Sequence, residues 1–63
     1  MTEGDRVQPS IQYRRMFPQS LEQSGTVLKR VVRPNRSSVW YVVKWHGVRE
    51  PIELHEDYVR QQQ

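Results

Sequence analysis

The chain has 63 residues, so it is expected to form one domain at most. It has no cysteine, which excludes a disulfide framework and a thiolate zinc site, and two histidines nine residues apart do not predict a metal centre. Ten Lys and Arg residues against seven Asp and Glu give a net charge of +3, which is compatible with a polyanionic partner but does not require one.

No apolar run approaches the length of a membrane span. The first residues, MTEGDR, lack the cationic start and apolar stretch of a signal peptide. The absence of cysteine suits a reducing compartment. We therefore expect a cytoplasmic protein without a membrane partner.

The first half of the chain predicts two strands separated by a long loop. Residues 1–3 are expected to fray, and a short strand over Gly4–Gln8 ends at Pro9. Because Pro9 and Pro18 argue against one continuous helix, we interpret residues 9–23 as an ordered loop with a helical turn at Gln19–Gln23. Gly25–Arg33 is rich in β-branched residues, and its two-sided apolar pattern predicts a bent or bulged strand.

The second half predicts a hairpin and a last short strand. A turn over Pro34–Ser37 leads into Val39–Trp45, where Tyr41, Val43 and Trp45 lie on one face and Trp40, Val42 and Lys44 on the other. His46-Gly47 is typical of a turn, Pro51–Leu54 of a returning strand, His55–Tyr58 of a polar turn and Val59–Arg60 of a final strand.

Residues 61–63 read as a flexible tail. We predict an all-β fold: a small five-stranded antiparallel barrel, forming a single domain over residues 4–60, with a long first loop. No window keeps a helical apolar stripe for three turns, which disfavours a helical bundle.

The order of these signals resembles small bacterial or phage β-barrels of the SH3-like type. The resemblance rests on Gly4–Val7, Gly25–Val27, the segment Tyr41–Gly47 (YVVKWHG) and Leu54–Val59. It implies the barrel and leaves the partner open.

Two narrower resemblances imply functions. Tyr41–Gly47 is similar to the central strand of chromodomains, which would make Trp45 and Tyr41 members of an aromatic cage for methylated lysine. Gly4–Val7 also resembles the opening of plasmid-encoded type II dihydrofolate reductases, whose pore motif would fall on Ile52–His55. The residues after the turn, Arg49–Ile52, depart from the chromodomain pattern, and the pore motif is substituted, so both rank below a plain barrel.

The basic residues near the predicted hairpin favour nucleic-acid binding. An exposed aromatic beside cations is the usual arrangement for stacking a base and contacting phosphates. If the hairpin forms about residues 34–37, Arg30, Trp40 and Lys44 share one outer face. The candidate nucleic-acid-binding residues are Lys29, Arg30, Arg33, Arg36, Trp40 and Lys44.

Two alternatives stay open. Tyr13, Phe17 and Trp40 could form an aromatic groove for a peptide or for a second copy of the chain. A subunit of an oligomeric enzyme is the third hypothesis. We predict no catalytic residue or cofactor, because His55 and its acidic neighbours come with no nucleophile and no Gly-rich phosphate loop.

Overall fold

The fold is built on one antiparallel sheet, with short helical segments between strands. The computed structural model describes residues 1–18, 23–34 and 37–62. The strands are β1 (Arg6–Pro9), β2 (Gly25–Val32), β3 (Val39–Trp45), β4 (Ile52–His55) and β5 (Val59–Gln61), in the order β4-β3-β2-β1-β5 across the sheet. Helix α1 (Ile11–Met16) follows β1, and a 3-10 helix (Glu56–Tyr58) joins β4 to β5. The predicted all-β class with five antiparallel strands is confirmed.

The sheet curves strongly, because its two edge strands are joined by a very short connection. Only Glu56–Tyr58 separates the end of β4 from the start of β5. The four residue steps from His55, the last residue of β4, to Val59, the first residue of β5, span at most about 14 Å. The edge strands of a flat five-stranded sheet would lie roughly 19 Å apart. Closure of the sheet into an SH3-like barrel stays a prediction.

All five strands bury side chains on the same side of the sheet, which we call the inner face. Along β3 the buried residues alternate with half-buried ones, as the period of a strand requires. Trp45 is only 2% exposed and belongs to the core. The core comprises Val7, Val27, Tyr41, Val43, Trp45, Leu54 and Val59. The opposite side of the sheet is called the outer face.

The predicted irregularity of the second strand is confirmed as a β-bulge in β2. Val27 lies opposite Val43, but the next pair is Lys29 with Val42, so Leu28 has no partner on β3. One extra residue in a strand reverses which residues face inward beyond it. The bulge therefore decides which cations of β2 lie on the outer face.

Helix α1 lies inside the segment interpreted as a loop, and that interpretation is corrected here. Ser10 is the N-cap, and its Oγ accepts a hydrogen bond from the backbone N–H of Tyr13 at 3.3 Å. Pro9 precedes the cap and Pro18 follows the last turn, so the two prolines bound the helix instead of preventing it. The helical turn expected at Gln19–Gln23 falls almost wholly outside the described residues.

Both termini of the chain are held more closely than the sequence suggests. Met1 packs against the core, and Thr2 is tied to Asp5 by a backbone hydrogen bond of 3.1 Å. Strand β5 includes Gln61, and the N–H of Gln62 donates to the carbonyl of Arg6 at 2.9 Å. Gln61 and Gln62 are therefore not part of the expected flexible tail, and Gln63 lies outside the described residues.

The described residues include no helix long and apolar enough to cross a membrane.

Candidate functional site

A row of three polar side chains crosses the outer face. Arg6 on β1 lies opposite Thr26 on β2, and Thr26 lies opposite Lys44 on β3. Directly opposed residues of antiparallel strands project from the same face. The pairing therefore places the Arg6 and Lys44 cations on one face, on either side of the Thr26 hydroxyl.

Two further cations belong to this face. Lys29 lies opposite Val42, and Arg60 lies opposite Gln8, which is two residues beyond Arg6 on β1. Lys29 and Arg60 are exposed. We call Arg6, Lys29, Lys44 and Arg60 the basic face.

The ammonium group of Lys44 is held in place by the turn after β3. It donates hydrogen bonds to the carbonyl oxygens of Trp45, at 3.3 Å, and of Val48. A lysine has three N–H donors, so one is left for another acceptor. Carbonyl oxygens orient the ammonium group without cancelling its formal charge.

Beside this row the surface is concave, with a pocket of about 470 Å³. The pocket lies where the ends of β1, β2 and β3 meet the turn at His46-Gly47. Its lining residues are Arg6, Ser24, Gly25, Thr26, Lys44, Trp45, His46, Gly47 and Gln62. None of these described residues is acidic, so the charges among them are all of one sign.

Trp40 lies on the outer face but is not an open stacking platform. Its ring meets the His55 imidazole edge-on, with centroids 5.2 Å apart, and the Arg33 guanidinium lies 5.6 Å from its centre. Arg33 also forms an ion pair with Glu53. A base that stacks on the side of the ring facing Arg33 has to displace this guanidinium.

The register of β2 and β3 corrects the expected position of Arg30. Arg30 lies opposite Tyr41, a core residue, and so projects from the inner face, although it is exposed. Without the bulge at Leu28, Arg30 would lie opposite Trp40. The expectation that Arg30, Trp40 and Lys44 share one face is therefore wrong for Arg30, and Lys29 takes its place.

Arg33 and Arg36 are the two remaining predicted cations. Arg33 follows the end of β2 and is paired with Glu53, as described above. Arg36 lies outside the described residues. Three residues of the basic face or the pocket were not predicted as site residues from the sequence: Arg6, Arg60 and His46. The alternation of Arg6 with the buried Val7 on β1 was the one signal that could have indicated Arg6.

The aromatic groove proposed from Tyr13, Phe17 and Trp40 is not one contact cluster. The rings of Tyr13 and Phe17 are 5.0 Å apart at α1, and Tyr13 also lies 5.9 Å from Trp45. The described ring contacts lead from Tyr13 to Trp40 through Tyr58 and His55. Two intervening rings, those of Tyr58 and His55, thus separate Tyr13 from Trp40.

His55, which precedes the acidic residues Glu56 and Asp57, has a structural role. It is the N-cap of the 3-10 helix, and its Nδ1 accepts a hydrogen bond from the backbone N–H of Asp57 at 3.1 Å. Across the described ranges, no group of three potential metal ligands comes together.

No protein-family model, curated protein or solved structure matches this chain.

Proposed function

We propose that this chain is a non-enzymatic nucleic-acid-binding module that contacts the phosphate backbone through the basic face. The observation that carries the proposal is the row in which Arg6, Thr26 and Lys44 lie side by side across three strands. Two cations and a hydroxyl on a sheet surface are suitable partners for successive phosphate oxygens.

The recorded ion pairs separate Arg33 from the basic face. The structure records no ion pair between a carboxylate and Arg6, Lys29, Lys44 or Arg60 in the described ranges, whereas Arg33 is paired with Glu53. Cations that are not neutralised by the protein can release counterions from a nucleic acid. Binding through such contacts is independent of sequence and falls steeply with salt.

Titration of ¹⁵N-labelled protein with short single-stranded and duplex DNA, at about 50 and 200 mM salt, tests this proposal. The choice of salts follows the range over which phosphate contacts lose most of their affinity. We expect amide shifts clustered on β1, on β2 from Thr26 to Lys29, and on Lys44, weakened at the higher salt. Shifts absent from this face, or insensitive to salt, would refute the proposal.

A second candidate function is binding of a protein partner at α1. Three apolar side chains on and just after this helix are exposed: Ile11 by 58%, Met16 by 51% and Phe17 by 45%. Exposed apolar side chains concentrated in one short segment indicate a possible interaction surface. Light scattering at increasing protein concentration tests self-association, and the variant Met16→Lys should abolish it if this surface is responsible.

A further inference from the structure

The pocket beside Arg6 and Lys44 differs from the rest of the basic face in its shape. Lys29 and Arg60 lie on the open surface of the sheet, whereas Arg6 and Lys44 line a concavity of about 470 Å³. This volume is within the range of ordinary ligand pockets. A concave site can surround a compact group on several sides, which an open strand surface cannot.

The walls of this pocket are held together by backbone contacts. The N–H of His46 donates to the carbonyl of Ser24 at 2.7 Å, and the N–H of Gln62 donates to the carbonyl of Arg6 at 2.9 Å. Gly25 lies so close to β3 that an added Cβ would be 2.7 Å from the Trp45 ring. The cations are therefore mounted on firmly connected strands and on the turn after β3.

The donors that line this pocket match one kind of anion. Arg6 and Lys44 are cationic side chains, His46 adds an imidazole, and Ser24 and Thr26 add hydroxyl groups. A phosphate monoester carries about −1.5 to −2 charges at neutral pH and presents three terminal oxygens. An internal phosphodiester carries a single charge and is substituted on two sides. The two cationic side chains in this concave site thus suit the monoester better.

We infer that this pocket binds the terminal phosphate of a nucleic-acid strand. The inference rests on the proposed function, because the open part of the basic face, with Lys29 and Arg60, holds the adjoining backbone. A free mononucleotide or inorganic phosphate presents the same chemistry without those backbone contacts. The strand end is favoured because the pocket adjoins the basic face through the row of Arg6, Thr26 and Lys44.

Fluorescence anisotropy with two labelled single-stranded 12-mers of one sequence tests the inference. One strand carries a 5′-phosphate and the other a 5′-hydroxyl, with the dye at the 3′ end of both. A second pair with the phosphate at the 3′ end and the dye at the 5′ end covers the other polarity. We expect at least one phosphorylated strand to bind about five- to tenfold tighter, the size of about one net hydrogen bond.

Two variants test whether the preference for the phosphorylated strand arises in the pocket. Thr26→Val removes a hydroxyl while keeping a β-branched side chain, and His46→Gln removes the imidazole; each should reduce the preference to about twofold or less. Lys29→Ser, outside the pocket, should weaken both strands of a pair by the same factor and leave the preference intact. Circular dichroism spectra that match the wild type show that the variants are folded.

The outcomes separate the two proposals. Equal affinity for the phosphorylated and unphosphorylated strands of both pairs overturns the terminal-phosphate inference and leaves the nucleic-acid proposal standing. No binding of any strand overturns the nucleic-acid proposal and this inference with it. Adenosine monophosphate and inorganic phosphate are added as competitors. Each should displace the phosphorylated strand only at a concentration far above that of the strand. Displacement at similar concentrations would show that the ligand is a free phosphate monoester or phosphate, which contradicts the strand-end assignment.

Discussion

The guanidinium of Arg33 lies 5.6 Å from the centre of the Trp40 ring on the outer face. The same guanidinium is paired with the carboxylate of Glu53. Arg33 thus has two partners within the protein, and its charge is already compensated. This separates Arg33 from the cations of the basic face, which have no such partner in the described ranges.

Removing the carboxylate of Glu53 should therefore recruit Arg33 to nucleic acid. We expect Glu53→Gln to tighten binding at low salt. The plot of log affinity against log salt should steepen by about 0.7, the value for one further phosphate contact with a single strand. The matched control is Glu50→Gln, which removes an equal charge from an exposed residue that has no ion pair recorded within the described part of the chain. Identical salt slopes for the two variants would contradict a specific restraint by Glu53.

Gly25 should tolerate no side chain, because of the close approach of β2 to β3. An added Cβ would lie 2.7 Å from the Trp45 ring and 2.8 Å from the carbonyl oxygen of Lys44. We expect Gly25→Ala to lower the free energy of unfolding by about 1–3 kcal/mol, the usual cost of overpacking. Urea denaturation followed by tryptophan fluorescence measures the change.

A control for Gly25→Ala is Gly47→Asn, at a turn glycine with φ of +81° and no atom within 4 Å of an added Cβ. Asn tolerates the left-handed conformation, so its cost should stay within about 1 kcal/mol. If Gly25→Ala is no more destabilising than Gly47→Asn, the close packing of Gly25 is not limiting for stability.

Helix α1 depends on its N-cap, because it has only six residues and no buried residue of its own. Ser10→Ala removes the acceptor of the Tyr13 N–H and should cost about 1 kcal/mol. Ser10→Asp keeps an acceptor and should restore most of this stability. Thermal unfolding of the three proteins provides the comparison. Equal melting temperatures for wild type and Ser10→Ala would show that the cap does not contribute.

Strand periodicity was enough to predict most of the fold. The alternation in Val39–Trp45 correctly separates the buried Tyr41, Val43 and Trp45 from the other face. The helix was missed because Pro9 and Pro18 were interpreted as interruptions of one long element. Proline excludes a helix interior but is acceptable just before a cap and just after the last turn.

The candidate site was less predictable, because it depends on register. One unpaired residue, Leu28, exchanges the faces of Lys29 and Arg30, and alternation along a single strand does not show where such a bulge falls. The row of Arg6 and Lys44 joins residues 38 positions apart and requires the pairing of β1 with β2. Residues that are brought together by the pairing of distant strands cannot be predicted from local sequence patterns.

Lys29 and Arg30 offer the most direct test of the account, because they are adjacent, exposed and equally charged but lie on opposite faces. The affinities of wild type, Lys29→Ser and Arg30→Ser for one single-stranded 12-mer should be measured across a series of salt concentrations. We predict that Lys29→Ser weakens binding and reduces the salt slope by about 0.7, whereas Arg30→Ser keeps the wild-type slope. Equal losses in both variants, or a loss in Arg30→Ser alone, would contradict binding through the outer face.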